Sequence, residues 1–314
     1  MSRLDPLVAR ARRLVEPHLE PGSVVAVSGG ADSLALAAVV AFFVRRRGVD
    51  ARAVVVDHGL QPGSSEVAAR AAEQCESLGL PAAVRAIIVR DLGTGPEDAA
   101  RSARYGALRQ EAGESHVLLA HTLDDQAETV LLGLGRGSGP RAIQGMRPAN
   151  GPLRRPFLSL RRAETERICR LHDLDWWQDP HNDDPAFRRV RVRRELLPLM
   201  EDVLGGGVAE ALSRTADLVR MDADAVDGLA TRAMPGSGGI EDLWTFADLA
   251  APVRLRIWRR LAIDAGASAG ELSHGHTLSL DGLLQARGGT RIELPGGVTA
   301  VREGDRVHFV ARDL

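Results

Sequence analysis

The stretch SVVAVSGGADSLALAAVV, residues 23–40, reads as strand, tight turn and helix. Val24, Val25 and Val27 form a β-branched apolar run that stops at Ser28-Gly29-Gly30. An alanine- and leucine-rich run of helical composition follows from Asp32. Paired glycines let the backbone turn sharply and bring its N–H groups close to a ligand. The helix that opens there directs unpaired N–H groups and the positive end of its dipole to the same spot. An anion is expected in the turn. The stretch is neither G-x-x-x-x-G-K-S/T nor G-x-G-x-x-G, so the Walker and dinucleotide-binding fingerprints are both excluded.

A chain of 314 residues has room for one α/β domain and a smaller one. Its longest uninterrupted apolar run, Leu34 to Val44, falls short of the ~18 residues of a membrane span. The charged segment Met1 to Glu20 lacks the apolar core of a secretory signal. A cytoplasmic protein without a membrane partner is expected. Cys75 and Cys169 stand far apart and form no disulfide framework, redox pair or zinc spacing, so both read as small buried hydrophobes.

The formal net charge of -2 excludes a bulk attraction to nucleic acid, and any such binding must use local patches. Residues 141–194 hold thirteen Arg against seven Asp plus Glu, whereas 201–250 hold three Arg against ten acidic residues. All 40 basic residues are Arg, which with the Ala and Gly abundance reads as genomic base composition. It also leaves no lysine side chain for catalysis.

Strand-like runs at Val24–Val27, Ala53–Val56, Ala83–Val89 and Val117–Ala120 alternate with helical patterns near 34–47, 64–78, 97–112 and 124–134. This is the signature of βαβ units and a doubly wound, mainly parallel sheet of the α/β class. Ligands of such sheets bind beyond the carboxyl ends of the strands. The turns Ser28–Ser33, Asp57–Leu60 and His121–Asp125 all fall there and can converge on one crevice. Helices are then expected at Arg161–His172 and Ala186–Met200. The run VLGGGVAE, 203–210, reads as a boundary between a domain of residues 1–203 and one of 208–314. The latter combines an acidic helical stretch, a helix near Pro252–Ala265 and a small antiparallel strand unit.

In HTLDDQAETVLL, 121–132, Asp124 and Asp125 open a helix and Glu128 shares their face. Acidic residues at a helix N-terminus serve plain capping, but beside a strand end and an anion-binding turn, clustered carboxylates hold Mg²⁺. Asp32 has the same two readings, helix start or ligand on the phosphate side.

These residues resemble a known family. SGGADS at 28–33 resembles the SGGxDS pyrophosphate loop of the ATP-pyrophosphatase, or PP-loop, superfamily. Over the first domain the chain resembles the tRNA(Ile)-lysidine synthetase family. The resemblance rests on VDHGLQPGSSEVAARAAEQCESLGLP (56–81), PEDAARSARYGAL (96–108), HTLDDQAETVLLGLGRGSG (121–139) and DPHNDDPAFRRVRVRRELLP (179–198). One departure is that the family pattern Arg-Asn-Arg reads Arg189-Val190-Arg191 here. In that segment Phe187, Val190 and Leu197 are expected to form a buried stripe, with Arg188, Arg189, Arg191 and Arg193 outward for phosphate or tRNA contact.

The resemblance implies an adenine nucleotide alpha hydrolase-like fold and a ligase that uses ATP and Mg²⁺ with two partners, free L-lysine and a CAU-anticodon tRNA(Ile). The wobble cytidine is adenylated at its C2 oxygen, and lysine's ε-amine then displaces AMP. Ser28, Gly29, Gly30, Ala31, Asp32 and Ser33 would cradle phosphate. Asp57 and His58 would lie against adenosine, and Asp32, Asp125 and Glu128 would hold Mg²⁺ or orient the lysine cation. His121 and Arg101 are placed against the α-phosphate as positive or hydrogen-bonding groups. Arg104 and Tyr105 read as helix packing. In DWWQDP (175–180) at most one tryptophan would stack on an anticodon base. The smaller domain would grip tRNA through Arg254, Arg256, Arg259 and Arg260, and the oligomeric state, a homodimer included, stays open. Two other readings share the loop: a PP-loop tRNA thiolation enzyme, and a non-catalytic nucleotide- or tRNA-binding module.

Overall fold

The computed structural model describes residues 4–57, 59, 63–87, 96–136, 139–179, 184–236 and 238–311. Its elements in the first part of the chain are α1 (Pro6–Val15), β1 (Ser23–Val27), α2 (Ala31–Arg47), β2 (Ala51–Asp57), α3 (Ser64–Ser77), β3 (Ala82–Ala86), α4 (Pro96–Ala112), β4 (Val117–Leu118) and α5 (Leu123–Gly135). There follow α6 (Pro140–Ile143), β5 (Ala149–Asn150), β6 (Leu153–Arg154), α7 (Arg162–Leu171), α8 (Arg188–Arg191) and α9 (Leu197–Leu204). The remainder holds α10 (Val208–Arg232), α11 (Leu243–Ala247), α12 (Ala251–Asp264), α13 (His274–Gly282), β7 (Arg291–Leu294), β8 (Val298–Glu303) and β9 (Arg306–Ala311).

The six-stranded sheet runs β3-β2-β1-β4-β6-β5, parallel except for β5. Its central strands read as unbroken apolar runs because both faces are covered. Val25, Val27, Ala53, Val55 and Leu118 join a core with α1, α2, α3 and α7, while Val24, Val54, Val117 and Leu119 pack with Leu108 and Ala112 of α4. From β1 the chain continues to β2 on one side and later returns to β4 on the other. The crevice between the β1 and β4 ends is thus the topological switch point where such sheets bind ligands. Cys75 and Cys169 are fully buried in the first core, which pushes both thiols up to about 12.

The chain packs as two compact units, residues 1–137 with 142–216, and 138–141 with 217–314. The division falls inside α10 rather than at the glycine run 205–207, because Val208 and Ala209 pack with Ala127, Val192 and Leu197 of the first unit. The second unit sets the antiparallel order β7-β8-β9 beside α11, α12 and α13 around fully buried Trp258. Asp281 accepts from Trp258 Nε1 at 3.1 Å and pairs with Arg254 at 2.8 Å. Among the described residues, no helix is long and apolar enough to cross a membrane.

The helix expected over 186–200 is interrupted. Between α8 and α9 the chain makes a π turn, Val192–Leu196. Pro198 has no N–H for the carbonyl four residues back and its ring crowds that carbonyl, which favours the wider turn. The expected buried stripe is corrected at one position: Val190 and Leu197 are buried, but Phe187 stands before the first turn of α8 and is 40% exposed.

Candidate active site

At the end of β1 the chain turns through Gly29, whose φ of +82° is left-handed and whose absent Cβ would meet Val67 Cγ1 at 3.2 Å. Gly30 then caps α2. Ser33 Oγ accepts the Ser28 N–H at 3.1 Å and donates to the Gly30 carbonyl at 2.9 Å, which fixes the loop from within. Trp177 N–H holds the Gly29 carbonyl at 2.9 Å from outside.

The loop forms one wall of a cavity of about 580 Å³. One end is apolar, made by Ala26, Val54, Val56, Leu108 and Leu119 with Tyr105. The other is polar and brings together Ser28, Gly30, Ala31, Asp32, Ser33, His121, Asp125, Arg162 and Arg193. Two of the three turns singled out in the sequence, Ser28–Ser33 and His121–Asp125, therefore converge, joined by Val54 and Val56 of β2 and by Arg193 from the π turn, whereas no described residue of Asp57–Leu60 lines the cavity.

The electrostatics centre on Arg162. Its Nε lies 3.3 Å from Asp32 Oδ2 and its Nη2 3.0 Å from Asp125 Oδ1. Burial alone would lower the guanidinium's pKa, but Asp125, Asp32, Glu128 and Asp124 together hold it above its ordinary value. Asp32 also accepts the Thr165 hydroxyl. Burial pushes its carboxyl above the ordinary value, and Arg162 only partly offsets this. For Asp125 burial also acts upward, yet Arg162, His121 and the Thr122 N–H, bound at 2.8 Å, prevail and hold it below the usual carboxylate range. Asp124 turns away and caps α7 by accepting the Arg162 N–H at 2.7 Å.

Glu128 differs from its neighbours. It is fully buried, with Arg189 Nε at 2.9 Å from Oε2 and Arg193 Nε at 2.6 Å from Oε1. Among the described residues no group of three or more His, Cys, Asp or Glu stands close enough to hold a metal ion. Mg²⁺ uses few protein carboxylates and keeps water and phosphate ligands, so a two-carboxylate set suffices. The donor chemistry fits at Asp32 and Asp125, whose carboxylates line the cavity and share Arg162. It does not fit at Glu128, whose two oxygens are closed by arginines.

His121, expected as a positive or hydrogen-bonding group, lines the cavity. Burial first, then Arg155, Arg101 and Arg189 against Asp125, lower its pKa to about 4, so it is neutral at pH 7. Arg101 is exposed and reaches the cavity wall only through Tyr105, donating to its hydroxyl at 3.3 Å. Tyr105 and Arg104, read as helix packing, line the cavity, and Tyr105 also packs against the core of Val24, Val54 and Leu108. Asp57 stands at the end of β2, outside the lining, where it accepts the Gly59 N–H at 2.9 Å. His58 lies outside the described residues. Trp176 and Trp177 are both half-buried and both line the cavity.

Of the four arginines expected to face outward, Arg189 and Arg193 are tied to Glu128, while Arg188 and Arg191 are exposed, the latter pairing with Glu195 at 2.8 Å. In the second unit Arg254 is bound to Asp281, Arg256 to Asp227 at 2.6 Å, Arg259 to the Ala269 carbonyl at 2.7 Å and Arg260 to Thr231 at 2.6 Å. These four hold their own unit together.

Sequence reasoning missed Arg162 and Thr165, which sit in the first turn of α7. A signal was present: Arg161 and Arg162 place two cations at the positive end of a helix dipole. That is an unfavourable position unless carboxylates face it.

A family model described as a PP-loop domain matches residues 5–200. The tRNA(Ile)-lysidine synthase of Leifsonia xyli subsp. xyli is 49% identical over 313 residues, 93% of this chain and 92% of that one. That of Streptomyces coelicolor is 49% identical over 299 residues, 91% of this chain and 84% of the other. Among solved structures, the U34-tRNA thiolase NcsA from Methanococcus maripaludis with its iron–sulfur cluster superposes with a TM-score of 0.55. It covers 68% of this chain and 79% of its own at 16% identity, a likeness of fold alone. With the loop, the switch-point cavity and near-half identity across both units in agreement, the chain belongs to the tRNA(Ile)-lysidine synthase family of PP-loop proteins.

Proposed function

We propose that this chain joins free lysine to C2 of the wobble cytidine of a CAU-anticodon tRNA(Ile), using ATP and passing through an adenylated tRNA. The observation that carries this reading is the identity of 49% over 93% of the chain to a protein named tRNA(Ile)-lysidine synthase. In the first step the cytidine C2 oxygen bonds to the α-phosphorus, the bond from that phosphorus to the bridging oxygen breaks, and pyrophosphate leaves. In the second the ε-amine bonds to C2, the C2–O bond breaks, AMP leaves with the oxygen, and the amine's proton goes to water.

The loop N–H groups at the α2 N-terminus bind the departing pyrophosphate. The apolar end of the cavity takes the adenosine, with Val54 and Val56 in the place first given to Asp57. His121 donates a hydrogen bond toward the α-phosphate, where charge develops. Mg²⁺, when bound, neutralises phosphate charge, and Asp32 and Asp125 are the residues that would hold it. Lysine fits a neighbouring cavity of about 330 Å³ that shares Arg162 and Arg193 with the first. There Asp124 and Glu201 suit an ammonium group and Arg161 a carboxylate. Exposed Arg188 and Arg191 suit tRNA phosphates, as do Arg287 and Arg291 in the second unit, which we assign to gripping tRNA. A thiolation chemistry finds no support in Cys75 and Cys169, both fully buried and neither part of the cavity lining.

The test supplies ATP, Mg²⁺ and unmodified CAU-anticodon tRNA(Ile), with labelled lysine present or omitted, and follows both pyrophosphate and label in the tRNA. Incorporation that Asp125→Ala abolishes supports the reading. Pyrophosphate release without incorporation refutes the amine acceptor, and no tRNA-dependent pyrophosphate refutes catalysis.

A further inference from the structure

Arg155 does not line the cavity, yet it governs a residue that does. It follows β6, the neighbour of β4, and His121 lies just beyond the end of β4. The Arg155 side chain is buried. Its backbone N–H is held by the Pro148 carbonyl at 2.8 Å, and its Nη1 donates to the Arg147 carbonyl at 2.8 Å. Its Nε donates to His121 Nδ1 at 3.2 Å, and its guanidinium interacts favourably with Tyr105, the chain's one tyrosine.

A guanidinium has five N–H donors, no acceptor, and does not lose its proton in proteins. The ring nitrogen that receives its N–H must therefore present a lone pair, so the neutral ring carries its proton on Nε2. A second positive charge on the ring would face Arg155 directly and be disfavoured by Arg101 and Arg189 as well, with Asp125 opposing them.

From this geometry we infer that Arg155 is a positioning residue: by occupying Nδ1 it fixes His121 as a neutral imidazole whose Nε2–H is the donor offered to the cavity. The inference rests on the proposed function only in placing an α-phosphate oxygen opposite that donor. A donor held in one tautomer and one orientation stabilises developing phosphate charge without reorganising during the reaction. Partners that orient a functional imidazole are worth roughly 10- to 100-fold in affinity or activity at other sites.

The test reads the ring directly. In protein labelled with ¹⁵N-histidine, the His121 signals are assigned by their loss in His121→Gln. In the free wild-type protein at pH 7 the expected pattern is an unprotonated Nδ1 and a protonated Nε2. In Arg155→Met the Nδ1 signal is expected to move toward protonation, and kcat for tRNA-dependent pyrophosphate release to fall roughly 10- to 100-fold with KM for ATP within about twofold. Arg155→Lys, which restores one donor, is expected to recover the wild-type tautomer in part. A wild-type Nδ1 that carries the proton overturns the inference, as does an Arg155→Met protein whose His121 signals and kcat match wild type. Should Arg155→Met fail to fold, the wild-type and Arg155→Lys spectra decide alone. The tautomer is measured without substrate, so its failure is separate from a failure to incorporate lysine.

Discussion

Glu128→Gln separates a metal ligand from a structural anion. The wild-type carboxylate is fully buried and holds three close contacts: Arg189 Nε at 2.9 Å, Arg193 Nε at 2.6 Å and Arg193 Nη2 at 3.3 Å. Glutamine keeps the shape and one acceptor, but its amide turns a donor toward one guanidinium and the charge is gone. Breaking a buried pair in this way costs about 3–5 kcal/mol. Arg189 is 37% and Arg193 27% exposed, so water recovers part of that loss, and a net cost of about 3 kcal/mol is expected. For a unit of this size the cost lowers Tm by roughly 6–12 °C. Thermal melts by circular dichroism measure it, and the Mg²⁺ concentration for half-maximal pyrophosphate release is measured beside them. The Mg²⁺ midpoint is expected to stay within about twofold, because neither Glu128 oxygen is free for a metal. Adding Arg193→Met to Glu128→Gln should cost less than the two single changes together, since both remove one network. An unchanged Tm with a tenfold higher Mg²⁺ requirement would refute the structural role and restore Glu128 to the metal.

Two further predictions follow from backbone and charge. Gly29→Ala places a Cβ at φ +82° and 3.2 Å from Val67 Cγ1. The cost is about 1–2 kcal/mol, so KM for ATP should rise roughly tenfold, and an unchanged KM in the pyrophosphate assay would show that this loop conformation is not the binding one. His121 has a folded pKa of about 4 against an ordinary 6.5. The unfolded chain therefore binds a proton first, and the stability His121 contributes is complete above pH 6.5 and is lost as pH falls toward 4. Proton-linked melts should show this slope in the wild type and a shallower one in His121→Gln; equal slopes would contradict a neutral buried ring.

The sequence by itself determined the alternation of strands and helices, the glycine turn at Ser28–Ser33 and its meeting with the β4 end at His121–Asp125. Apolar periodicity, glycine placement and helix polarity are local properties, written in residues close along the chain. It also read Cys75 and Cys169 correctly as buried, because isolated cysteines away from any metal spacing have little else to do. Only the tertiary structure decided how the charges are spent. Asp32 meets Thr165 and Arg162 from more than a hundred residues away, and Glu128 meets Arg193 across 65 residues. In the sequence Asp32, Asp125 and Glu128 were three equivalent carboxylates. In the fold two face a cavity and one is closed by arginines. The same holds for His121, read as either a positive or a hydrogen-bonding group until the fold set Arg155 against its Nδ1. Coulomb energy and desolvation depend on distance in space and on burial, and sequence separation encodes neither.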